Sequence, residues 1–133
     1  MSHPNEAMLR HAYEAFAVGD LDPVLGMLSD DISWHASGDS PVAGDYSGRE
    51  GVLRFFAAMM TQYGGTLRLQ VNDVLASDDH GVVLTTESGT AGGERIEWAS
   101  VHVFTIRDGK CVRFVSYEDD AYHQFWAARR VAA

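Results

Sequence analysis

The chain has 133 residues, 46% of them hydrophobic, and ten Lys and Arg against nineteen Asp and Glu give it a net charge of −9. That length buries a real core without staples, so one folded domain over 1–133 is expected, and the acidic balance with no basic stripe argues against nucleic acid or an anionic membrane as partner. No apolar run approaches the roughly 20 residues that span a bilayer, MSHPNEAM lacks signal-peptide features, and a single cysteine, Cys111, allows no internal disulfide, so a cytoplasmic home is expected.

Residues 4–18 read as a helix, with Pro4 in its first turn and Leu9, Ala12, Tyr13 and Phe16 on one stripe, ended by Gly19. Asp20 or Asp22 then caps a short second helix that turns Val24, Met27 and Leu28 inward. DISWHA, 31–36, reads as a short strand, and the Gly, Ser, Asp and Pro of 37–48 read as loop. Ser47 and Glu50 form a capping-box pattern ahead of a third helix carrying Val52, Phe55, Phe56, Met59, Met60 and Tyr63, stopped by Gly64-Gly65.

From Thr66 the apolar period changes from about 3.6 to 2. Its phase slips near Asp73, which predicts a bulge. A turn at 78–81 leads to the strand GVVLTTESGT, and Gly92-Gly93 turns the chain into RIEWASVHVFTIR. A two-residue turn there sets Glu87 opposite Trp98, Thr85 opposite Ser100, and Val83 opposite His102. Asp108-Gly109 marks the next hairpin, for which two registers are open. A two-residue turn puts Arg113, Val115 and Tyr117 beside His102; a three-residue turn with a glycine bulge puts Phe114, Ser116 and Glu118 there. The second avoids burying Arg113 and is preferred. A last helix, capped by Asp119 or Asp120, carries Tyr122, Phe125 and Trp126 on one face, with Arg129-Arg130 near its negative end. Cys111, on a strand, reads as a buried inert thiol.

Four segments in this order, YEAFAVGDLD, LSDDISWH, YSGREGVLRFF and HVFTIRDGK, resemble the SnoaL-like and ketosteroid isomerase-like branches of the nuclear transport factor 2-like superfamily. The resemblance implies an α+β fold. Three N-terminal helices would pack into a strongly curved, mixed but mostly antiparallel sheet as a cone-shaped roll, with a short C-terminal helix and a pocket at the open end. It also implies a homodimer through the outer sheet face, where Val101, Val103, Val115 and Tyr117 are expected. In the isomerase branch a first-strand carboxylate moves the substrate proton; the matching position here is Ala36, which disfavours that reaction. Tyr13 lies within one residue of that branch's oxyanion tyrosine, and His102 matches its protonated carboxyl. The cyclase branch's acid-base aspartate matches Asp119 or Asp120.

The superfamily hosts many activities, so the residues must carry the function. His102, an imidazole on the inner face, is the expected acid-base or oxyanion group, with Asp119 or Glu118 as charged partner. Tyr13, Trp34, Tyr46, Phe56, Met59, Glu87, Trp98, Ser100 and Phe114 are the expected substrate-binding residues. For each there is a plainer account: a satisfied pocket histidine, a helix-capping aspartate, ordinary core aromatics. His35 alternates outward. No metal-ligand spacing, serine-hydrolase motif or nucleotide motif occurs, so neither metal nor cofactor is expected. The reading is an enzyme moving protons on an apolar small molecule by isomerisation, cyclisation, dehydration or epoxide opening. The alternatives are a non-catalytic ligand-binding protein and a dimeric module with a filled pocket.

Overall fold

The computed structural model describes residues 3–132, and side chains over 3–129, so the Arg130 side chain expected near the last helix's negative end lies outside the described side chains. In chain order the elements are α1 (Pro4–Ala17), α2 (Asp22–Met27), β1 (Leu28–Ala36), β2 (Gly44–Ser47) and α3 (Gly48–Tyr63). They are followed by β3 (Arg68–Ala76), β4 (His80–Ala91), β5 (Glu94–Arg107), β6 (Lys110–Glu118) and α4 (Asp120–Ala132). The strands form one curled, unclosed sheet in the order β2-β1-β6-β5-β4-β3. Every pairing is antiparallel except β1 with β6, so the sheet is mixed as expected.

α1, α2 and α3 fill the concave side. Leu9, Val24, Met27, Val52 and Phe55 from the helices meet Ile32, Val83, Phe104 and Phe114 from the strands in one buried cluster. Close approach of α1 to the sheet depends on Gly81, where a Cβ would lie 2.4 Å from Leu9 Cδ1. A second cluster, Tyr63, Trp98, Tyr122 and Trp126, joins the end of α3 to α4 across β5.

The structure departs from the sequence reading in several places. Leu28 opens β1 instead of closing α2, because its backbone is already extended. The 37–48 loop contains β2, which pairs with β1 from Ser33↔Ser47 to Ala36↔Gly44. Leu21 is the cap position of α2, with Asp20 Oδ1 accepting from the Asp22 N–H. Ser47 does stand at the start of α3, but its side chain makes no capping bond, so the capping box is not formed.

Both bulges bear on the site. In β3 the ladder skips Asn72, between Val71↔Thr85 and Asp73↔Leu84, which returns Val74 to the concave face. In β6 the turn is two residues, with Asp108 and Gly109 both at positive φ (51° and 74°) and Arg107 paired with Lys110. The three-residue turn is therefore incorrect. The phase is shifted instead by Val112, skipped between Ile106↔Cys111 and Thr105↔Arg113. The consequence for the inner face is the preferred one: Phe114, Ser116 and Glu118 face inward. Of the expected outer-face residues, Tyr117 is 54% exposed, whereas Val115 is only 7% exposed and adds little to an outer apolar patch.

Candidate functional site

Alternation decides which side chains reach the hollow between helices and sheet. β4 contributes Glu87, β5 contributes Trp98, His102 and Phe104, β6 contributes Phe114, Ser116 and Glu118, and β1 contributes Trp34 and Ala36. Tyr13 and Phe16 from α1, with Phe55, Phe56 and Met59 from α3, close the other side. The hollow opens to solvent at its mouth and holds a cavity of about 90 Å³, so side chains do not plug it completely. Trp34 lies flat on Phe114, ring centroids 3.7 Å apart, and forms the apolar floor.

Against this apolar surround stands one chain of polar contacts. The Tyr13 hydroxyl and His102 Nδ1 are 2.5 Å apart, and His102 Nε2 is 3.3 Å from Glu87 Oε2. The same carboxylate oxygen accepts from Thr85 Oγ1 at 3.0 Å. Burial, reinforced by the charge of Glu87 and then by Cys111, holds the Tyr13 phenol well above its usual range, so it keeps its proton. With a neutral imidazole, Tyr13 donates to Nδ1, and the ring proton sits on Nε2 facing Glu87. Oε1, the other Glu87 oxygen, has no hydrogen-bond partner among the described residues, and Glu87 lines the hollow. A carboxylate 5% exposed, with one oxygen locked and the other free, is an oriented acceptor.

Glu118 is set apart from this chain. Ser100 Oγ donates to its Oε2 at 3.2 Å. Burial raises its carboxyl above the usual carboxylate range, with the Glu87 charge adding and hydrogen bonding from Ser116 and Ser100 and the charge of His102 opposing.

Of the residues singled out from sequence, His102, Glu118, Tyr13, Trp34, Phe56, Met59, Glu87, Trp98 and Phe114 all line the hollow. Three do not. Asp119 accepts from the Ala99 N–H at 2.9 Å and the Tyr122 N–H at 3.1 Å, capping α4 and pinning β5, so it is not the partner of His102. Tyr46 donates to the Val42 carbonyl and packs on Phe55, behind the wall instead of over the mouth. Ser100 acts only through Glu118. His35 faces away, 2.8 Å from Asp45. Among the described residues no group of three His, Cys, Asp or Glu is placed to hold a metal ion.

Thr85 and Tyr122 also belong to the site, although no motif in the sequence marks either. Register placed Thr85 on the inner face, but nothing local to Tyr122 signals that α4 folds back onto Trp98, 4.9 Å between ring centroids.

Comparison with known proteins gives a family match. The SnoaL-like domain model matches residues 9–114. Bal32a, from a soil-derived mobile gene cassette, is 30% identical with a TM-score of 0.83, covering 92% of this chain and 95% of that one. An NTF2-like protein of Burkholderia pseudomallei K96243 is 29% identical with a TM-score of 0.82, covering 91% and 95%. TerC, co-crystallised with polyporic acid, is 27% identical with a TM-score of 0.81, covering 94% and 99%.

Proposed function

Because the chain belongs to the SnoaL-like domain family, within the nuclear transport factor 2-like superfamily, we propose that it is an enzyme moving protons on a mid-sized apolar small molecule, with its own side chains as acid and base. The observation that carries this reading is the Tyr13–His102–Glu87 chain, a continuous line of acid-base groups on a mostly apolar wall.

The chain has two proton arrangements. In the neutral form Tyr13 donates to His102 Nδ1, and the imidazole holds Glu87 Oε2 through Nε2–H. In the imidazolium form Nδ1–H donates to the Tyr13 oxygen, which frees the hydroxyl hydrogen for a substrate oxygen. Enolisation then balances as follows. Glu87 Oε1 takes the proton from a carbon next to a carbonyl, and the C–H electron pair moves into the carbon–carbon bond. The carbonyl oxygen takes the Tyr13 hydrogen, and Tyr13 recovers one from Nδ1. The reverse steps at another carbon complete an isomerisation; attack of the same enol on a second carbonyl carbon gives an aldol-type cyclisation. His102 thus works through its two neighbours, and Glu87, first read as a binding residue, is the base.

Val101, Val103 and Tyr117 on the convex face support the proposal of a homodimer, and a buried free thiol at Cys111 suits the cytoplasm. The test is deuterium uptake from heavy water into polyketide-, terpene- and steroid-like ketones, followed by mass spectrometry. Loss of uptake in Glu87→Gln and His102→Ala, with Asp119→Asn unaffected, is the expected pattern; uptake that survives Glu87→Gln refutes it. A non-catalytic binding role is the second reading, favoured by the fact that both imidazole nitrogens are already engaged; it predicts ligand binding without exchange in any variant.

A further inference from the structure

Glu118 takes no part in that proton chain, yet it stands inside the hollow. β6 ends at this residue, and α4 then turns back, so the carboxyl shares its corner of the cavity with two rings, Trp98 and Tyr122, 4.9 Å apart. The Ser100 hydroxyl reaches Oε2, and Ser116 lies one inward position back along the strand. Among the described residues lining the cavity there is no Lys or Arg, and the one imidazole is matched to Glu87. The corner is therefore a carboxyl beside two aromatic rings and two serines, with no Lys or Arg among the described lining residues. Carboxylate plus ring faces is the chemistry that holds an ammonium, through charge-assisted hydrogen bonds and cation–π attraction.

We propose that the Trp98–Glu118–Tyr122 corner is a subsite for a protonated amine, so that the ligand is an apolar, ring-bearing molecule with a basic nitrogen. Burial raises the Glu118 carboxyl against the opposing Ser116 and Ser100 hydroxyls and His102, and an arriving ammonium supplies the countercharge the corner lacks. The geometry also sets a spacing. Glu118 faces Ser100, and His102 lies two residues further along β5, a step of about 7 Å. The nitrogen is thus placed at about that distance from the acid-base chain. A ligand carboxylate meets two carboxyls and no Lys or Arg, and is disfavoured. The proposal rests on the cavity being the ligand site.

The experiment is calorimetric titration of the protein at neutral pH with naphthylmethylamine, naphthylmethanol and naphthoate, three probes of one ring system that differ in charge. The amine is expected to bind about tenfold or more tighter than the alcohol, and naphthoate weakest. Glu118→Gln should bring the amine to the affinity of the alcohol while leaving the alcohol's own affinity unchanged, which also verifies that the variant's cavity is intact. Amine binding no tighter than the alcohol's, or a preference that survives Glu118→Gln, overturns the subsite while leaving the cavity as the ligand site. Failure of all three probes to bind overturns both.

Discussion

Tyr13→Phe removes one oxygen from the centre of the proposed site and leaves the surrounding packing alone. The ring keeps its stack on His102 at 5.8 Å and its edge contact with Phe104 at 6.4 Å. What is lost is the donor to Nδ1 of an imidazole only 7% exposed. Leaving a buried acceptor without a partner costs about 1–3 kcal/mol. For a domain of this length each kcal/mol moves the melting midpoint by roughly 3–6 °C. Urea unfolding should show the midpoint fall with an unchanged slope, since no additional surface is exposed. Nitrogen NMR of the imidazole supplies the reading specific to the mechanism. Where the imidazole is neutral, wild type should show a protonated Nε2 and an unprotonated, hydrogen-bonded Nδ1, and the variant should lose that preference. Stability within about 0.5 kcal/mol of wild type, together with unmoved imidazole signals, would refute the reasoning.

Burial raises the Glu118 carboxyl, so the folded state disfavours its ionised form. Its contribution to stability is complete below the unfolded-state value and is lost as pH rises through the folded one. Glu118→Gln should therefore melt increasingly above wild type as pH is raised above the ordinary carboxylate range, the gap closing at the acid end. Asp119→Ala should lose a helix cap and the tie to β5, about 1–2 kcal/mol by chemical denaturation, without loss of ligand binding. Gly89→Ala places a Cβ 2.7 Å from Tyr63 Cδ1, in a ring held against Trp98; about 1–3 kcal/mol of destabilisation is expected from overpacking. Burial pushes the Cys111 thiol up to about 12, so thiol reagents at neutral pH should label it only after denaturant is added.

Strand alternation made the inner face legible, because period and turn length together fix which side chains share a side. Glu87 opposite Trp98 and Val83 opposite His102 follow from the glycine turn alone, and both pairings are present. The second hairpin shows the limit. Avoiding a buried Arg113 selected the right face, but the shift comes from Val112 inside the strand, and no residue preference marks a bulge there. Contacts between distant elements were not legible. Tyr13 meeting His102 requires knowing how α1 lies over the sheet, and Asp119 looked the same whether it capped a helix or entered a cavity. β2 escaped because four residues rich in Gly, Asp and Ser, paired on one edge only, carry loop chemistry in a strand.

The parallel pairing of β1 with β6 governs how this protein must be made. Trp34 finds its stacking partner, Phe114, roughly 80 residues later in the chain, so on a ribosome adding 5–20 residues per second the first strand waits on the order of 4–16 s. During that wait only the short β2 hairpin covers one of its edges, and Trp34 has its α3 neighbours Phe55 and Phe56 but not the ring of Phe114. Nascent chains stalled before β6 should be held by chaperones, and the last strand to leave the ribosome is the one that completes the burial of the first.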